Sequence, residues 1–141
     1  MAADTAQLTT LSFMGAQKVL SAAIQHAQEI GVPMCIAIVD VRAVPILTAR
    51  MDEAPFGAVP ICLNKARTVV GFNGFATAEW WPSIQDDPAM VHGITHTPGL
   101  VIFGGGVGLF KGDILLGAIG VSGGESSEDE TVAAIGASAL P

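Results

Sequence analysis

Two basic residues close together in the middle of the chain are the leading candidates for binding a charged ligand. Lys65 and Arg67 account for two of the six lysines and arginines in 141 residues. Either cation can hold a carboxylate or a phosphate through charge-assisted hydrogen bonds. Asn64 and Thr68 add an amide and a hydroxyl beside them. The segment therefore predicts a contact with an anionic group.

Aspartate and histidine side chains supply the candidates for proton transfer. Asp40 and Asp52 flank a predicted hairpin, and if its register brings them together, the two carboxylates can divide acid and base roles. His92 is the third candidate. The alternative is that the two acids pair with Lys65 or Arg67, because surface ion pairs are common and contribute about 0 to 1 kcal/mol each. The sequence leaves both interpretations open.

Metal-binding residue patterns are weak. His92 and His96 are four residues apart, which suits a metal ion only if they share a helix face, and Gly93 between them weakens a helix. No third strong ligand accompanies them, so they are the only metal candidates and we expect no metal site. Cys35 and Cys62 lack a CxxC pattern, and we expect both to be buried thiols.

Glycine-rich segments supply the remaining candidates for ligand contact. Glycine backbone lets a ligand approach N–H groups closely, and a following helix N-terminus favours an anion. The GxGxxG and Walker spacings are absent, so nucleotide binding is not predicted, and a tight strand-to-helix turn is the alternative. The candidate ligand-binding positions are Gly104, Gly105, Gly106, Ser122, Gly123 and Gly124.

Apolar periodicity predicts the elements that must position these residues. A first helix runs from Leu11 to Ile30, with Thr9 or Thr10 as its N-cap and Gly31 at its end. Two apolar runs, 34–39 and 45–49, predict a hairpin, and Ala58 to Val70 predicts a second helix with Asn64, Lys65 and Arg67 opposite its apolar face.

The second half of the chain is predicted less sharply. Residues 71–99 are irregular and hold one or two short helices. Leu100 to Phe103 and Ile114 to Val121 are strand candidates that form a second hairpin, and a final helix runs to about Gly136. Hairpins without crossovers predict an antiparallel sheet with helices packed on it, an α+β fold formed by residues 1–141 as one domain. A glycine inside the last strand, Gly120, indicates either close approach of another backbone or an unusual φ.

The composition excludes several classes of protein. Half of the residues are apolar and 13% are charged, with a net charge of −7, which excludes global disorder and argues against nucleic-acid binding. So few charges suggest that some surface is buried between subunits, and we expect a homo-oligomer. The N-terminus does not look like a secretory signal and no apolar stretch suits a membrane span, so we expect a cytoplasmic protein.

Several motifs, in order along the chain, resemble the GlcG/HbpS family. They are Val39-Asp40, Arg50-Met51-Asp52 with Ala54, Lys65-Ala66-Arg67-Thr68, Gly104-Gly105-Gly106, and Gly117 to Gly124 followed by Asp129-Glu130. The resemblance implies a profilin-like antiparallel sheet flanked by helices, assembled into a homo-oligomer. The family includes haem-binding proteins and the C-terminal domain of some corrinoid adenosyltransferases. Glu53 stands where the family often has glycine, and Gly108 departs from its usual Gly-Gly-x-Pro loop.

The resemblance and the residues together support two hypotheses. The first is a small-molecule binding protein that takes an anionic or planar ligand, haem by resemblance, near the second helix and the glycine loops. The alternative is an enzyme that acts on a small organic acid, with Lys65 or Arg67 holding the carboxylate and Asp40, Asp52 or His92 moving a proton. Binding is favoured, because no set of residues has the spacing of a known catalytic motif.

Overall fold

A four-stranded antiparallel sheet forms the centre of the computed structural model, which describes residues 3–141. The strands lie in the order β2-β1-β4-β3 and are β1 (Cys35–Asp40), β2 (Pro45–Arg50), β3 (Gly106–Lys111) and β4 (Ile114–Ser122). β1 and β2 form one hairpin, β3 and β4 form the other, and β1 pairs with β4 between them. The predicted α+β class with an antiparallel sheet is confirmed.

Helices cover both faces of this sheet. They are α1 (Phe13–Ile30), α2 (Ala58–Gly71), α3 (Trp80–Ile84), α4 (Pro88–Gly93) and α5 (Ser126–Ala137), with 3₁₀ turns at Thr77–Glu79 and Ile94–His96. The irregular segment thus contains short helices, as its composition predicts. Of the helices in the described part of the chain, none has the length and hydropathy needed to cross a membrane.

The ends of α1 depend on two local interactions. Ser12 is the N-cap, because its hydroxyl accepts a hydrogen bond from the backbone N–H of Gly15 at 3.0 Å. Gly31 ends the helix in the left-handed conformation that suits glycine. The prediction that Thr9 or Thr10 caps α1 is wrong. The Thr10 hydroxyl instead donates to a backbone carbonyl of β4, so it ties the segment before the helix to the sheet.

The core has two sides that are separated by the sheet. Ile36 and Ile38 of β1 pack with α1 and α5, whereas Ala37 and Val39 point to the face covered by α2. β1 is therefore buried on both faces, which explains its continuous apolar sequence. This arrangement fixes α2 on one side of the sheet and the start of α5 on the other.

Leu100 to Phe103 is not a strand, and the first strand of the second hairpin begins at Gly106. The Thr68 hydroxyl of α2 accepts a hydrogen bond from the backbone N–H of Val101 at 3.1 Å, and Val101 is buried. The apolar residues of this segment therefore anchor a loop to α2 instead of pairing in the sheet. A short apolar run does not distinguish these two outcomes.

Gly120 allows α2 to lie directly on the sheet. A Cβ atom added at this position would overlap the backbone carbonyl of Cys62 and lie 2.7 Å from the backbone nitrogen of Ala66. Both atoms belong to the main chain of α2 and have little freedom to move. Gly108, one of the two departures from the family pattern, is covered by the ring of Phe110.

Glu53, the other departure, adopts a left-handed backbone conformation. Its φ is 68°, and the only other non-glycine residues with positive φ in residues 3–141 are Ala43 at 63° and Asn73 at 56°. Left-handed φ costs an ordinary L residue roughly 1–2 kcal/mol, whereas glycine adopts it freely. This conformation gives a physical reason for glycine at this position in the family pattern.

Glu53→Gly should raise the free energy of unfolding by about 0.5 to 1 kcal/mol, because the relieved strain exceeds the extra chain entropy of glycine. Asn73→Gly is the matched control and should gain less, since asparagine tolerates the left-handed region. Urea denaturation followed by circular dichroism measures both variants. A Glu53→Gly protein that is less stable than the starting protein would contradict the argument.

Candidate functional site

A fully buried ion pair joins α2 to α5. Lys65 has no solvent exposure, and its Nζ donates to Asp129 Oδ2 at 2.9 Å and to the backbone carbonyl of Val121 at 2.7 Å. The ring of Phe103, which is half exposed, lies 5.0 Å from the same nitrogen, within cation–π range. The ammonium group is thus surrounded by protein and has no direct access to a ligand.

The Gly104–Gly106 loop packs around this ion pair. A Cβ at Gly105 would lie 2.6 Å from Lys65 Nζ, and Gly105 itself has a φ of 127° that favours glycine. The backbone N–H of Gly105 donates to Glu130 Oε2, and that of Gly106 donates to Thr77 Oγ1. These two N–H groups, which the sequence predicts as ligand contacts, are occupied within the chain.

Burial dominates the electrostatics of the ion pair. Desolvation raises the pKa of the Asp129 carboxyl, and the hydrogen bond and charge of Lys65 offset only part of that effect. Asp129 Oδ1 also accepts the backbone N–H of Gly124 at 2.9 Å. Removing one partner of a buried pair leaves the other charge uncompensated, which typically costs 3 to 5 kcal/mol. Lys65 therefore contributes to the stability of the fold and to the relative position of α2 and α5.

Sequence reasoning placed Lys65 on the wrong face of α2 and missed Asp129 as its partner. Lys65 lies three residues after buried Cys62 and four before buried Val69, so helical periodicity alone assigns it to the buried face. Neither Asp40 nor Asp52 pairs with it. The sequence presents Asp129 only beside Glu130 after the glycine-rich segment, and no local pattern connects it to a lysine that is 64 residues away.

Three predicted ligand-binding residues meet in one cleft, which we call the anion cleft. Its volume is about 280 Å³, and its lining residues are Asn64, Arg67, Thr68, Phe72, Thr97, Pro98, Gly99 and Leu100. Arg67 is exposed and donates from Nε to the backbone carbonyl of Ala43 at 3.1 Å. Within residues 3–141, its two terminal nitrogens have no hydrogen-bond or ion-pair partner. No carboxylate lines the cleft.

The other predicted ligand-binding residues line a separate cleft of opposite character, the acidic cleft. Ser122, Gly123 and Gly124 border it together with Val32, Phe103, Glu125, Ser126, Glu128 and Asp129. Glu125 and Glu128 cap the start of α5 reciprocally, since the Glu128 side chain accepts the N–H of Glu125 at 2.8 Å. Carboxylates at its border make this cleft unfavourable for an anion.

The candidate acids for proton transfer do not share a site. Asp40 Oδ1 accepts the backbone N–H groups of Arg42 at 2.8 Å and Val44 at 3.0 Å, so its carboxylate holds the turn between β1 and β2. Asp52 is exposed at the opposite end of that hairpin, beyond Arg50. The hairpin therefore separates the two carboxylates instead of bringing them together.

The two candidate histidines are exposed in the segment that leads to the anion cleft. α4 ends at Gly93, so His92 lies in α4 and His96 in the following 3₁₀ turn, and they do not share one α-helix. Among residues 3–141, no group of three or more histidine, cysteine or acidic side chains is placed to hold a metal ion. His96 directly precedes Thr97, the first loop residue of the anion cleft.

Lys65→Met should lower the free energy of unfolding by about 3 to 5 kcal/mol, because Asp129 is then left buried without its partner. Adding Asp129→Asn should restore a large part of that loss, since the amide carries no charge and still accepts the Gly124 N–H. The exposed Arg67→Met is the control and should change stability by less than about 0.5 kcal/mol. Equal destabilisation of the single and double variants in denaturant unfolding would refute the assignment.

The sequence matches known proteins over most of its length. A family model described as "Haem degrading protein HbpS-like" matches residues 11–138. Corrinoid adenosyltransferase PduO of Citrobacter freundii is 34% identical over 125 residues, which are 88% of this chain and 37% of PduO. The chain therefore spans little more than a third of the length of that relative.

The fold also matches solved structures over most of the chain. The Klebsiella pneumoniae protein ORFY superimposes with a TM-score of 0.88 and 29% identity, covering 99% of this chain and 96% of ORFY. PduOC in its haem complex superimposes with a TM-score of 0.82 and 30% identity, covering 94% and 96%. The family resemblance and the fold inferred from the sequence are confirmed. The chain belongs to the HbpS-like family.

Proposed function

We propose that this protein binds haem, with a propionate held by Arg67 in the anion cleft. Membership of the HbpS-like family and the likeness to PduOC, which is solved with haem, support haem as the ligand class. The observation that carries the position is Arg67 itself. Its terminal N–H groups are free of partners in the described chain and border a cleft without a carboxylate, and such a fork matches a propionate.

The anion cleft is favoured over the acidic cleft by charge. Haem brings two carboxylates, and the acidic cleft would place them among Glu125, Glu128 and Asp129. Lys65 does not offset this repulsion, because Asp129 already pairs with it and it is fully buried. At physiological salt, interactions between exposed charges fade over about 8 Å, so the local charges outweigh the overall charge of the chain.

The remaining residues of the anion cleft fit a planar apolar macrocycle. Phe72 is 42% exposed, and Phe72 and Pro98 both add apolar surface to the lining. His96 directly precedes Thr97 and is therefore the histidine nearest in sequence to the loop residues of the anion cleft. It is the proposed iron ligand. Haem bound there would supply a redox-active iron. The protein would orient the macrocycle and neutralise a propionate.

The cleft is small for a ligand of the size of haem. Its volume of about 280 Å³ lies at the lower edge of the usual range of ligand pockets, about 300 to 1,000 Å³. Several large apolar side chains are exposed elsewhere, with Phe56 at 86% and Met14 at 68%. We propose that the protein is a homo-oligomer in which a neighbouring copy covers the remainder of the ligand.

The alternative of an enzyme that acts on a small organic acid stays a prediction. Arg67 can hold the carboxylate of such a substrate in the same cleft. Asp40 and Asp52, the acids proposed for proton transfer, lie at opposite ends of a hairpin. No observation therefore favours this alternative over binding.

Haem titration monitored by the Soret band tests the binding proposal. Arg67→Gln should weaken binding by about 10- to 100-fold, the loss of one hydrogen bond to a charged group. His96→Ala should shift the Soret maximum, because the axial ligand is replaced. Arg50→Gln and His26→Ala are matched controls on other surfaces and should change neither quantity. Haem binding that is absent at micromolar concentration would refute the function, whereas binding unaffected by Arg67→Gln would refute only its position.

Light scattering at micromolar protein concentration tests the oligomer. We expect a protein mass of at least twice 14.4 kDa, with or without haem. Phe56→Ser should lower that mass if the exposed side chain lies in an interface. Ser83→Ala, at another exposed position, is the control and should leave the mass unchanged. A monomer under all conditions would contradict the expectation.

A further inference from the structure

Both cysteines face one narrow pocket that the haem proposal does not use. Cys35 begins β1 and is 1% exposed, and Cys62 lies in the first half of α2 and is 3% exposed. They line a cavity of about 140 Å³, which we call the thiol pocket, together with Ile36, Thr48, Ala49, Arg50, Val59 and Leu63. The pocket shares no lining residue with the anion cleft. A ligand in the thiol pocket would therefore not depend on whether haem is bound.

Apart from the two cysteines, the residues with polar side chains that line the pocket are Thr48 and Arg50. Cys62 Sγ contacts the backbone carbonyl of Val59 at 3.1 Å, and Cys35 Sγ contacts that of Pro55 at 3.8 Å. These are weak thiol hydrogen bonds to main-chain atoms. No carboxylate or imidazole lines the pocket. Hard cations such as Mg²⁺ and Ca²⁺, which require oxygen ligands, find no coordination there.

The thiols are protonated and unreactive as nucleophiles at neutral pH. Burial, with a smaller contribution from the nearby Cys35, raises the pKa of Cys62 to about 12. Burial also raises the pKa of Cys35, while the charge of Arg50 opposes that effect.

One cation stands beside the sulfurs. Arg50 is paired with Cys35 across the β1–β2 hairpin, so the two side chains leave the sheet on the same face. Arg50 is exposed and is one of the residues that line the pocket. Positive charge at this position stabilises a group that becomes negative inside.

We propose that the thiol pocket binds Cu(I), a soft monovalent ion, between the sulfurs of Cys35 and Cys62. Thiolate ligands favour Cu(I) and zinc, and a site with only two of them fits the low coordination number of Cu(I) better than the four ligands that zinc usually takes. Two S–H bonds break and release two protons to solvent, two Cu–S bonds form, and copper remains in the +1 state. The bound group carries one negative charge, which Arg50 offsets.

Anaerobic competition with the Cu(I) chelator bathocuproine disulfonate tests this site in haem-free protein. One equivalent of Cu(I) should bind, accompanied by a near-ultraviolet sulfur-to-copper band. Cys35→Ser and Cys62→Ser should each weaken binding by at least about 100-fold and remove the band, because thiolates are the selecting ligands. Arg50→Gln should weaken it by about tenfold, as expected for loss of a supporting group. Met51→Leu and His92→Ala should leave it unchanged.

Two results would overturn the proposal. One is the absence of a one-to-one complex and of the near-ultraviolet band in the starting protein, which needs no variant and does not depend on how the serine proteins fold. The other is unchanged affinity in both serine variants with native circular dichroism. The Arg67→Gln variant keeps full Cu(I) affinity if the two sites are separate. Failure of haem binding leaves this measurement unaffected.

Discussion

The pairing of Lys65 with Asp129 is the interaction on which the arrangement of this molecule depends. It connects the helix on one face of the sheet to the helix that begins on the other, and it also contacts the end of β4. The cost of burying two charges offsets much of their attraction, so the pair fixes geometry more than it adds stability. The ion pair also explains why position 105 is a glycine, since a side chain there would displace the ammonium group of Lys65.

This internal pairing also decides where ligand chemistry is available. With Lys65 neutralised inside the protein, Arg67 is the basic side chain of α2 that solvent reaches. The charges then divide between two clefts, one with an arginine and no carboxylate, the other bordered by the acidic start of α5. A third face of α2, at Cys62, borders the pocket with the two sulfurs. α2 thus contributes Arg67 to the anion cleft, Cys62 to the thiol pocket and Lys65 to the buried ion pair.

The fold was predictable from the sequence wherever a single element determines its own pattern. The length of α1, the β1–β2 hairpin and α2 follow from apolar periodicity and from glycine and proline signals. The loop at Leu100 to Phe103 was not predictable. An apolar run does not show whether its backbone pairs with a strand or with a side chain such as Thr68.

The candidate site was predictable only in part. Asn64, Arg67 and Thr68 share one cleft because helical spacing puts them together, and this could be inferred locally. Their separation from Ser122 to Gly124 could not, since it depends on the path of the loop that packs on α2. The partner of Lys65 also depends on tertiary structure. Sequence patterns report neighbours along an element, whereas these contacts join distant parts of the chain.

The strand order has a consequence for how the protein is made in the cell. Each hairpin pairs neighbouring segments, but the central pair joins β1, from the first third of the chain, to β4, from the last. Pairing of distant segments carries a loop-closure cost that delays it. During synthesis the apolar strand β1 leaves the ribosome long before β4 exists to cover it. Until β4 has left the ribosome, this strand lacks its central partner, so chaperones that shield apolar segments have a defined target.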